Sequence, residues 1–299
     1  MKTLLRKPFQ IRDRTYIILL MAPALLYTFI FRLVPIAYGF WVSMTDWNLF
    51  FPDSRHTFVG LQNYITFFTT PDQIQSIIIT LRIGLLSTFI TLLVGTGLAF
   101  LVNQELRGSS VVRGMVITAM IMAPIVVGTA WRLMYNPTTG LINYIIERFG
   151  GQSIPFLSQV STALISVTIA DAWQQSPFVM IIVLAGLQSL PQEIFEAAAI
   201  DGASRFQTLT SITLPMIRRS FMLAILLRIM DSMRSFDLIY TMTQGGPARV
   251  TRNINILMFE VAWERYQVGR ASAIAIIILL MVMIPCIAIV LSFSRNRTD

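Results

Sequence analysis

Six long apolar stretches constrain this chain more than any other feature of its sequence. They run over residues 16–43, 77–102, 111–135, 163–187, 221–243 and 271–293. Each is about as long as a membrane-spanning helix, which needs roughly 20 mainly apolar residues. Of the 299 residues, 55% are hydrophobic and 13% are charged, whereas about 25% of residues in a soluble domain are charged. We therefore predict an all-α polytopic membrane protein with six transmembrane helices in one domain, residues 1–299.

A basic tail precedes the first apolar stretch, so a cleavable signal peptide is the first alternative. The apolar region of a signal peptide has about 7–15 residues, but this stretch continues from Tyr16 to about Phe40. We therefore expect a retained first helix. Arg32 and Pro35 interrupt it, so this end of the helix should pack against protein or lie near the outer interface.

The basic residues predict the orientation of the helices. If the amino terminus is cytoplasmic, twelve Lys and Arg residues lie inside and seven lie outside. The inside set is Lys2, Arg6, Lys7, Arg12, Arg14, Arg107, Arg113, Arg205, Arg218, Arg219, Arg295 and Arg297, and the outside set is Arg55, Arg132, Arg148, Arg249, Arg252, Arg265 and Arg270. Because positive residues accumulate on the cytoplasmic side, both termini are expected there. This distribution also accounts for the net charge of +8, so no nucleic-acid partner is predicted.

A polar loop, residues 188–220, separates the fourth and fifth apolar stretches. Helix-forming residues 196–200 are followed by Asp201-Gly202, which favours a break, and by a second amphipathic piece that closes at Pro215. This pattern predicts two short helices at an angle on the membrane surface. Their exposed apolar side chains call for a protein partner; the alternative is an interfacial helix without one.

The same segment resembles the EAA loop of ABC importer permeases. From Glu196 to Pro215 it has the spacing E-A-A, three residues, G, nine residues, I, one residue, L-P, and Asp201 and Ala203 complete the D-G-A core of the sugar-importer form. Other stretches are similar to the same maltose-type carbohydrate permease family over nearly the whole chain. They are Phe58-Val59-Gly60-Leu61 with Asn63-Tyr64, Asn103 with Arg107-Gly108, Trp131, Asn136-Pro137 with Gly140 and Asn143, and Phe236-Asp237 with Thr243-Gln244-Gly245-Gly246-Pro247.

The resemblance implies an ABC importer permease fold in a bacterial inner membrane, within a larger assembly. It implies a second permease, often a paralogue, and two copies of an ATPase subunit that bind ATP and Mg²⁺. An extracytoplasmic binding protein would deliver the sugar. The chain has no G-x-x-x-x-G-K-[ST] phosphate loop, so it is expected to be a transport subunit without a cofactor, not an enzyme.

The resemblance also makes the polar loop a coupling helix that docks on the ATPase. The residues assigned to this role are Glu196, Ala197, Ala198, Asp201, Gly202, Ala203, Phe206 and Leu209. Glu196 offers a carboxylate to a basic partner residue, the alanines permit close approach, and Gly202 makes the bend. Phe206 and Leu209 can fill apolar holes in the partner.

A polar cluster in the fourth apolar stretch is the first candidate for the substrate path. Trp173, Gln174 and Gln175 lie between Asp171 and Pro177, near the middle of the predicted span. An indole stacks on the C–H face of a sugar ring, and amides bind its hydroxyls. Pro177 would also leave a carbonyl about one turn earlier without its donor, and these polar side chains could bind that carbonyl instead. Of the two interpretations we favour the first and assign the three residues to the path.

The fifth stretch carries a second candidate, four charged residues at intervals of three. They are Arg228, Asp231, Arg234 and Asp237. Charge inside a membrane is costly and faces a cavity or a partner. Two interpretations stay open: Asp231 and Arg234 bind substrate hydroxyls in the path, or these residues form ion pairs that hold helices or the two permeases together. A periplasmic cap or gate is assigned to Asp237, Gly245, Gly246 and Pro247.

Other functions stay open on the sequence. A polyol or a glycerol phosphate is an alternative substrate, the latter because of Arg228 and Arg234. A stand-alone secondary transporter normally has a larger repeated architecture. A membrane-embedded enzyme needs a catalytic constellation, and the single His56 and single Cys286 disfavour both that and a metal site.

Overall fold

The computed structural model describes residues 14–104 and 108–295. Several basic residues used for the predicted orientation lie outside the described residues, namely Lys2, Arg6, Lys7, Arg12, Arg107 and Arg297. The chain divides into two compact units. The smaller unit contains residues 14–66 and Val261–Ile276, and the larger contains residues 67–104, 108–260 and 277–295. That residues 1–299 act as one permease domain stays a prediction.

The described residues form helices joined by loops, with isolated bridges and no sheet. The helices are α1 Arg14–Thr28, α2 Val34–Ser43, α3 Gln62–Thr69, α4 Pro71–Val102, α5 Ser109–Ile121, α6 Pro124–Met134, α7 Leu141–Arg148, α8 Val160–Gln188, α9 Gln192–Ile200, α10 Arg205–Gln207, α11 Leu214–Met216, α12 Arg218–Ser232, α13 Asp237–Thr243, α14 Ile254–Phe259 and α15 Val268–Arg295. Short π-helical segments cover Phe29–Leu33, Thr208–Thr213 and Glu260–Glu264. The all-α prediction is confirmed.

Four of the predicted spans are long apolar helices. Within the described part of the chain, Leu20–Ser43, Pro71–Val102, Val160–Gln188 and Val268–Ile289 are long and apolar enough to cross a membrane. Each corresponds to a predicted stretch. The prediction of six uninterrupted spans needs correction, because the other two predicted stretches are broken in the middle.

The third predicted stretch, residues 111–135, bends by 100° between α5 and α6. The cause is local, since Pro124 is the first residue of α6 and the two residues before it have extended backbones. Proline lacks the N–H that would continue the helix and disfavours helical geometry in the residue before it. If α5 and α6 are counted together as one bent span, the described part of the chain has up to five candidate spans.

The fifth predicted stretch, residues 221–243, is divided into α12 and α13. No proline lies at this break. Instead, the side-chain amide of Asn253 donates to the Ser235 carbonyl oxygen at 2.6 Å, and that of Asn255 donates to the Met233 carbonyl oxygen at 3.0 Å. These bonds satisfy carbonyl groups that would otherwise be left without a partner at the break. The interruption is therefore maintained by a distant segment of the chain.

In the smaller unit, the loop after α2 folds back on the end of that helix. The Asn63 side chain donates to the carbonyl oxygens of Ser43 and Thr45, each at 2.9 Å. Gly269 donates its N–H to the Trp47 carbonyl oxygen at 3.0 Å. A Cβ at Gly269 would lie 2.0 Å from the Thr45 carbonyl oxygen, so glycine is required there.

In the larger unit, α4 and α8 pack closely along their length. A Cβ at Gly95 would lie 2.7 Å from both the Ser176 carbonyl oxygen and the Val179 Cβ. Small residues allow membrane helices to approach in this way. A second close approach joins the end of α8 to the start of α12, where a Cβ at Gly186 would lie 2.6 Å from the Ser220 Oγ.

Candidate functional site

A buried ion pair joins α8 to α12 within the larger unit. Arg228 is 1% exposed and its guanidinium contacts the carboxylate of Asp171, which is also buried. Ser87, on α4, accepts from the Arg228 Nη2 at 2.6 Å and donates to Asp171. The Arg228 Nε is 3.4 Å from the Thr91 Oγ1. Arg228 therefore has the ion-pair role, one of the two interpretations of the charged fifth stretch.

The next carboxylate on α12 has a different environment. Asp231 accepts from the Arg228 Nη1 at 3.1 Å and from the Gln175 side-chain amide at 2.9 Å. Its side chain is nevertheless 53% exposed. One edge of this carboxylate is thus fixed by protein, and the remainder is accessible. Such a group is oriented in advance for a ligand that donates hydrogen bonds.

The two helix breaks meet at a small cavity of about 130 Å³. Five residues predicted for the path or the gate line it together, namely Gln174, Gln175, Asp231, Arg234 and Asp237. The other lining residues are Pro124, Asp171, Ser235, Phe236 and Leu238. Irregular backbone at membrane depth is tolerated where it lines a cavity. The substrate-path role of these residues stays a prediction.

Gln174 already has a structural partner. Its side-chain amide donates to the Met122 carbonyl oxygen at 2.8 Å, at the bend between α5 and α6. Gln174 is buried. Its side-chain nitrogen stabilises the bend, and the residue also lines the cavity. From the sequence, Gln174 is assigned to the substrate path, with a bond to a backbone carbonyl as the alternative for the polar cluster.

Trp173 is not among the residues that line this cavity. It is half-exposed, packs edge-to-face on Trp131 with ring centroids 5.9 Å apart, and borders a separate apolar pocket with Val94 and Met115. The reason is helical geometry. Asp171 and Gln175 lie four residues apart and share a face of α8, whereas Trp173 is between them and points elsewhere. The indole and the amides of the predicted cluster are therefore separated.

The residues predicted for the gate also fall into two places. Asp237 begins α13 at the small cavity. Gly246 and Pro247 follow the other end of α13 and border a larger cavity of about 410 Å³ together with Arg132 and Gln244. The Gly245 backbone has φ of +87°, which only glycine adopts readily.

A second ion-pair group was not predicted. Arg252 is buried and makes a two-nitrogen contact with Glu260, and its Nη1 is 2.7 Å from Asp72, which also binds Arg249 at 2.7 Å. Burial lowers the pKa of Arg252, but the bonds and charges of Glu260 and Asp72 raise that pKa by more, so it lies above its usual value. The sequence gives little signal for this group, because Asp72 is far from the others in the chain.

The polar loop, residues 188–220, is shaped by two local motifs. Helix α9 ends in a Schellman motif, in which Ala203 N–H donates to the Ala198 carbonyl oxygen at 2.9 Å and Gly202 N–H donates to the Ala199 carbonyl oxygen at 3.2 Å. Gly202 has the left-handed φ of +75° that this motif requires. Ser204 then starts α10 with a capping box.

The loop exposes most of the residues predicted to dock. Among them, Phe206 is 73% exposed, Glu196 is exposed and Leu209 is half-buried, and Ile200, which was not predicted to dock, is 87% exposed. Ala198 is buried against the chain itself. Large apolar side chains beside an acidic group, on a segment held in shape by its own hydrogen bonds, form a surface suited to a protein groove.

Relatives with known names match this chain over most of its length. It is 34% identical over 281 residues to the trehalose/maltose transport system permease protein MalF of Thermococcus litoralis, covering 94% of each chain. It is 31% identical to the trehalose transport system permease protein SugA of Mycobacterium tuberculosis, covering 93% of this chain and 87% of that one. It is 29% identical to the sn-glycerol-3-phosphate transport system permease protein UgpA of Agrobacterium fabrum, covering 93% and 94%.

A solved structure shows the same fold. A chain of a bacterial ABC transporter involved in the import of the acidic polysaccharide alginate superposes with a TM-score of 0.81 at 20% identity, covering 96% of this chain and 97% of that one. The family described as the binding-protein-dependent transport system inner membrane component matches residues 91–298. The chain therefore belongs to this family of membrane-embedded transport permeases.

Proposed function

We propose that this chain is the permease subunit of an ATP-driven importer that forms the path for a carbohydrate. The observation that carries the proposal is the exposed, internally braced coupling loop between the two helices that border the polar cavity. The named relatives above support a sugar, since two of them are permeases of trehalose or maltose transport systems. The proposed location is a bacterial inner membrane, with both termini in the cytoplasm.

The proposed assembly has four kinds of subunit. A second, paralogous permease completes the path, and an extracytoplasmic binding protein delivers the sugar. Two copies of an ATPase subunit hold ATP and Mg²⁺, so this chain itself carries no cofactor. The coupling residues from Glu196 to Leu209 contact the ATPase, with Phe206 and Ile200 as apolar anchors.

The connectivity explains how the ATPase would act on the path. The coupling loop continues α8 and leads directly into α12. Helix α8 carries Gln175 and α12 carries Asp231. The side-chain amide of Gln175 donates a hydrogen bond to the Asp231 carboxylate at the cavity. Displacement of the loop therefore reaches both sides of the cavity through rigid helices, and the bundle alternates between inward-facing and outward-facing states.

The test is uptake of labelled disaccharide by vesicles that contain the whole assembly. We expect accumulation only when the two permeases, the ATPase, the binding protein and ATP are all present. Accumulation by this chain without ATP and without partners would instead indicate a secondary transporter. Turnover of substrate by the purified chain alone would indicate an enzyme.

A further inference from the structure

The charges around the small cavity point to a specific class of substrate. Five charged residues lie in or behind its wall: the carboxylates Asp171, Asp231 and Asp237, and the guanidinium groups Arg228 and Arg234. Their formal sum is one negative charge. We infer that the cavity accepts an uncharged polyhydroxylated ligand, a sugar or a polyol, and rejects phosphorylated and uronic-acid ligands. This inference rests on the proposed function.

Arg228 is not available to an anionic ligand. Its Nη1 binds Asp231, its Nη2 binds Ser87 and Asp171, and its Nε faces Thr91. Because it is 1% exposed, a ligand could reach it only after the buried pair had opened. Opening would leave Asp171 as an unpaired charge in the protein interior, which is strongly unfavourable.

Arg234 carries the exposed guanidinium group of the cavity wall, and the wall contains more carboxylates than guanidinium groups. Its Nε donates to the Met230 carbonyl oxygen at 3.3 Å. Asp231 and Asp237 are both exposed on the same wall. A phosphate monoester carries close to two negative charges at neutral pH, so it would meet one cation and two carboxylates. Recognition of phosphate normally uses several converging cations or backbone N–H groups.

The hydrogen-bond donors and acceptors of the wall also favour an uncharged polyhydroxylated ligand. Ionised carboxylates accept hydrogen bonds and donate none, so Asp231 and Asp237 require a ligand that donates. A hydroxyl group both donates and accepts, and therefore suits the carboxylates as well as Arg234. A phosphate or uronate oxygen satisfies only the guanidinium. The wall is thus complementary to hydroxyl groups.

The experiment compares neutral and anionic compounds in vesicles that contain the complete assembly. The panel is trehalose, maltose, glycerol, sn-glycerol 3-phosphate and an alginate oligosaccharide, each labelled and offered at the same concentration. We expect ATP-dependent accumulation of a neutral compound and none of the two anions. The variant Asp231→Asn should lower this uptake by about tenfold or more, because a charge-assisted hydrogen bond to the ligand is lost. The matched control Glu147→Gln removes an exposed carboxylate away from the cavity and should leave uptake unchanged.

The outcomes separate the inference from the proposed function. ATP-dependent uptake of the phosphate or the uronate would overturn the inference and leave an importer permease. Full uptake of the neutral compound by Asp231→Asn would also overturn it. If that variant does not assemble, the wild-type panel alone decides. Failure of every compound to accumulate in an ATP-dependent manner would overturn both.

Discussion

The polar loop and the cavity involve neighbouring parts of the chain, but their structures arise in opposite ways. The loop is made by hydrogen bonds between residues a few positions apart, as in the pair Ala198 and Ala203 and the pair Ser204 and Gln207. The cavity wall is made by partners from different helices, such as Gln175 and Asp231. Changes in the loop should therefore alter function while the fold persists, whereas changes behind the cavity should alter the fold itself.

The largest loss of stability is expected from Arg228→Leu. This change leaves Asp171 buried without its partner, and we expect the free energy of unfolding to fall by about 3–5 kcal/mol. Unfolding by SDS in mixed micelles measures it. The double variant with Asp171→Leu should recover much of the loss, because both charges are then absent. A single variant as stable as the wild type would contradict the buried-pair assignment.

Gly202→Pro should abolish ATP-driven uptake with little effect on the rest of the fold. Proline holds φ at about −65° and has no N–H. Gly202 has φ of +75°, and its N–H donates to the Ala199 carbonyl oxygen at 3.2 Å. The matched control is Gly202→Asn, since Asn tolerates the left-handed region and no atom lies within 4 Å of a Cβ there. Uptake and ATP hydrolysis are measured in vesicles. Normal uptake by the proline variant would show that the loop does not couple the subunits.

Gln174→Leu should destabilise the bend between α5 and α6. The Met122 carbonyl oxygen loses its donor, and an unsatisfied buried group costs about 1–3 kcal/mol. The neighbouring Gln175→Leu is the control, and its effect should be smaller because Asp231, its partner, is half-exposed and can bind water. Equal losses in the two variants would mean that the bend does not depend on this bond.

The smallest effect is expected at the exposed ion pair of Arg249 and Asp72. Exposed pairs contribute about 0–1 kcal/mol and are screened by salt, so Arg249→Gln should change stability within that range. Arg252→Gln should cost more, because Arg252 is buried and contacts both Glu260 and Asp72. Unfolding of both variants at low and high salt tests the difference.

The loop could be predicted from its sequence because its signals are local. Asp201-Gly202 marks the end of α9, and the S-x-x-Q pattern from Ser204 to Gln207 starts α10. The bend at Pro124 has a local signal as well, since proline interrupts helices, but the third stretch was predicted as one span from its apolar length alone. That prediction was wrong about continuity although the residues are helical.

The break between α12 and α13 could not be predicted in this way. The residues that hold it open, Asn253 and Asn255, belong to a later segment and act through tertiary contacts. The separation of Trp173 from Gln175 could have been predicted, because residues two positions apart on a helix face different directions. The pairing of Asp171 with Arg228 required the packing of α8 on α12.

The close approach of Gly186 and Ser220 has a mechanical consequence. These residues stand at the two points where the polar loop leaves and rejoins the helices, and no space for a Cβ separates them. The two helices are therefore in direct contact at the base of the loop. If the loop docks on an ATPase as proposed, we expect a force applied at Phe206 to move α8 and α12 together. We expect Gly186→Ala to push the helices apart at this contact, because the added Cβ would lie 2.6 Å from the Ser220 Oγ, and so to weaken this joint movement.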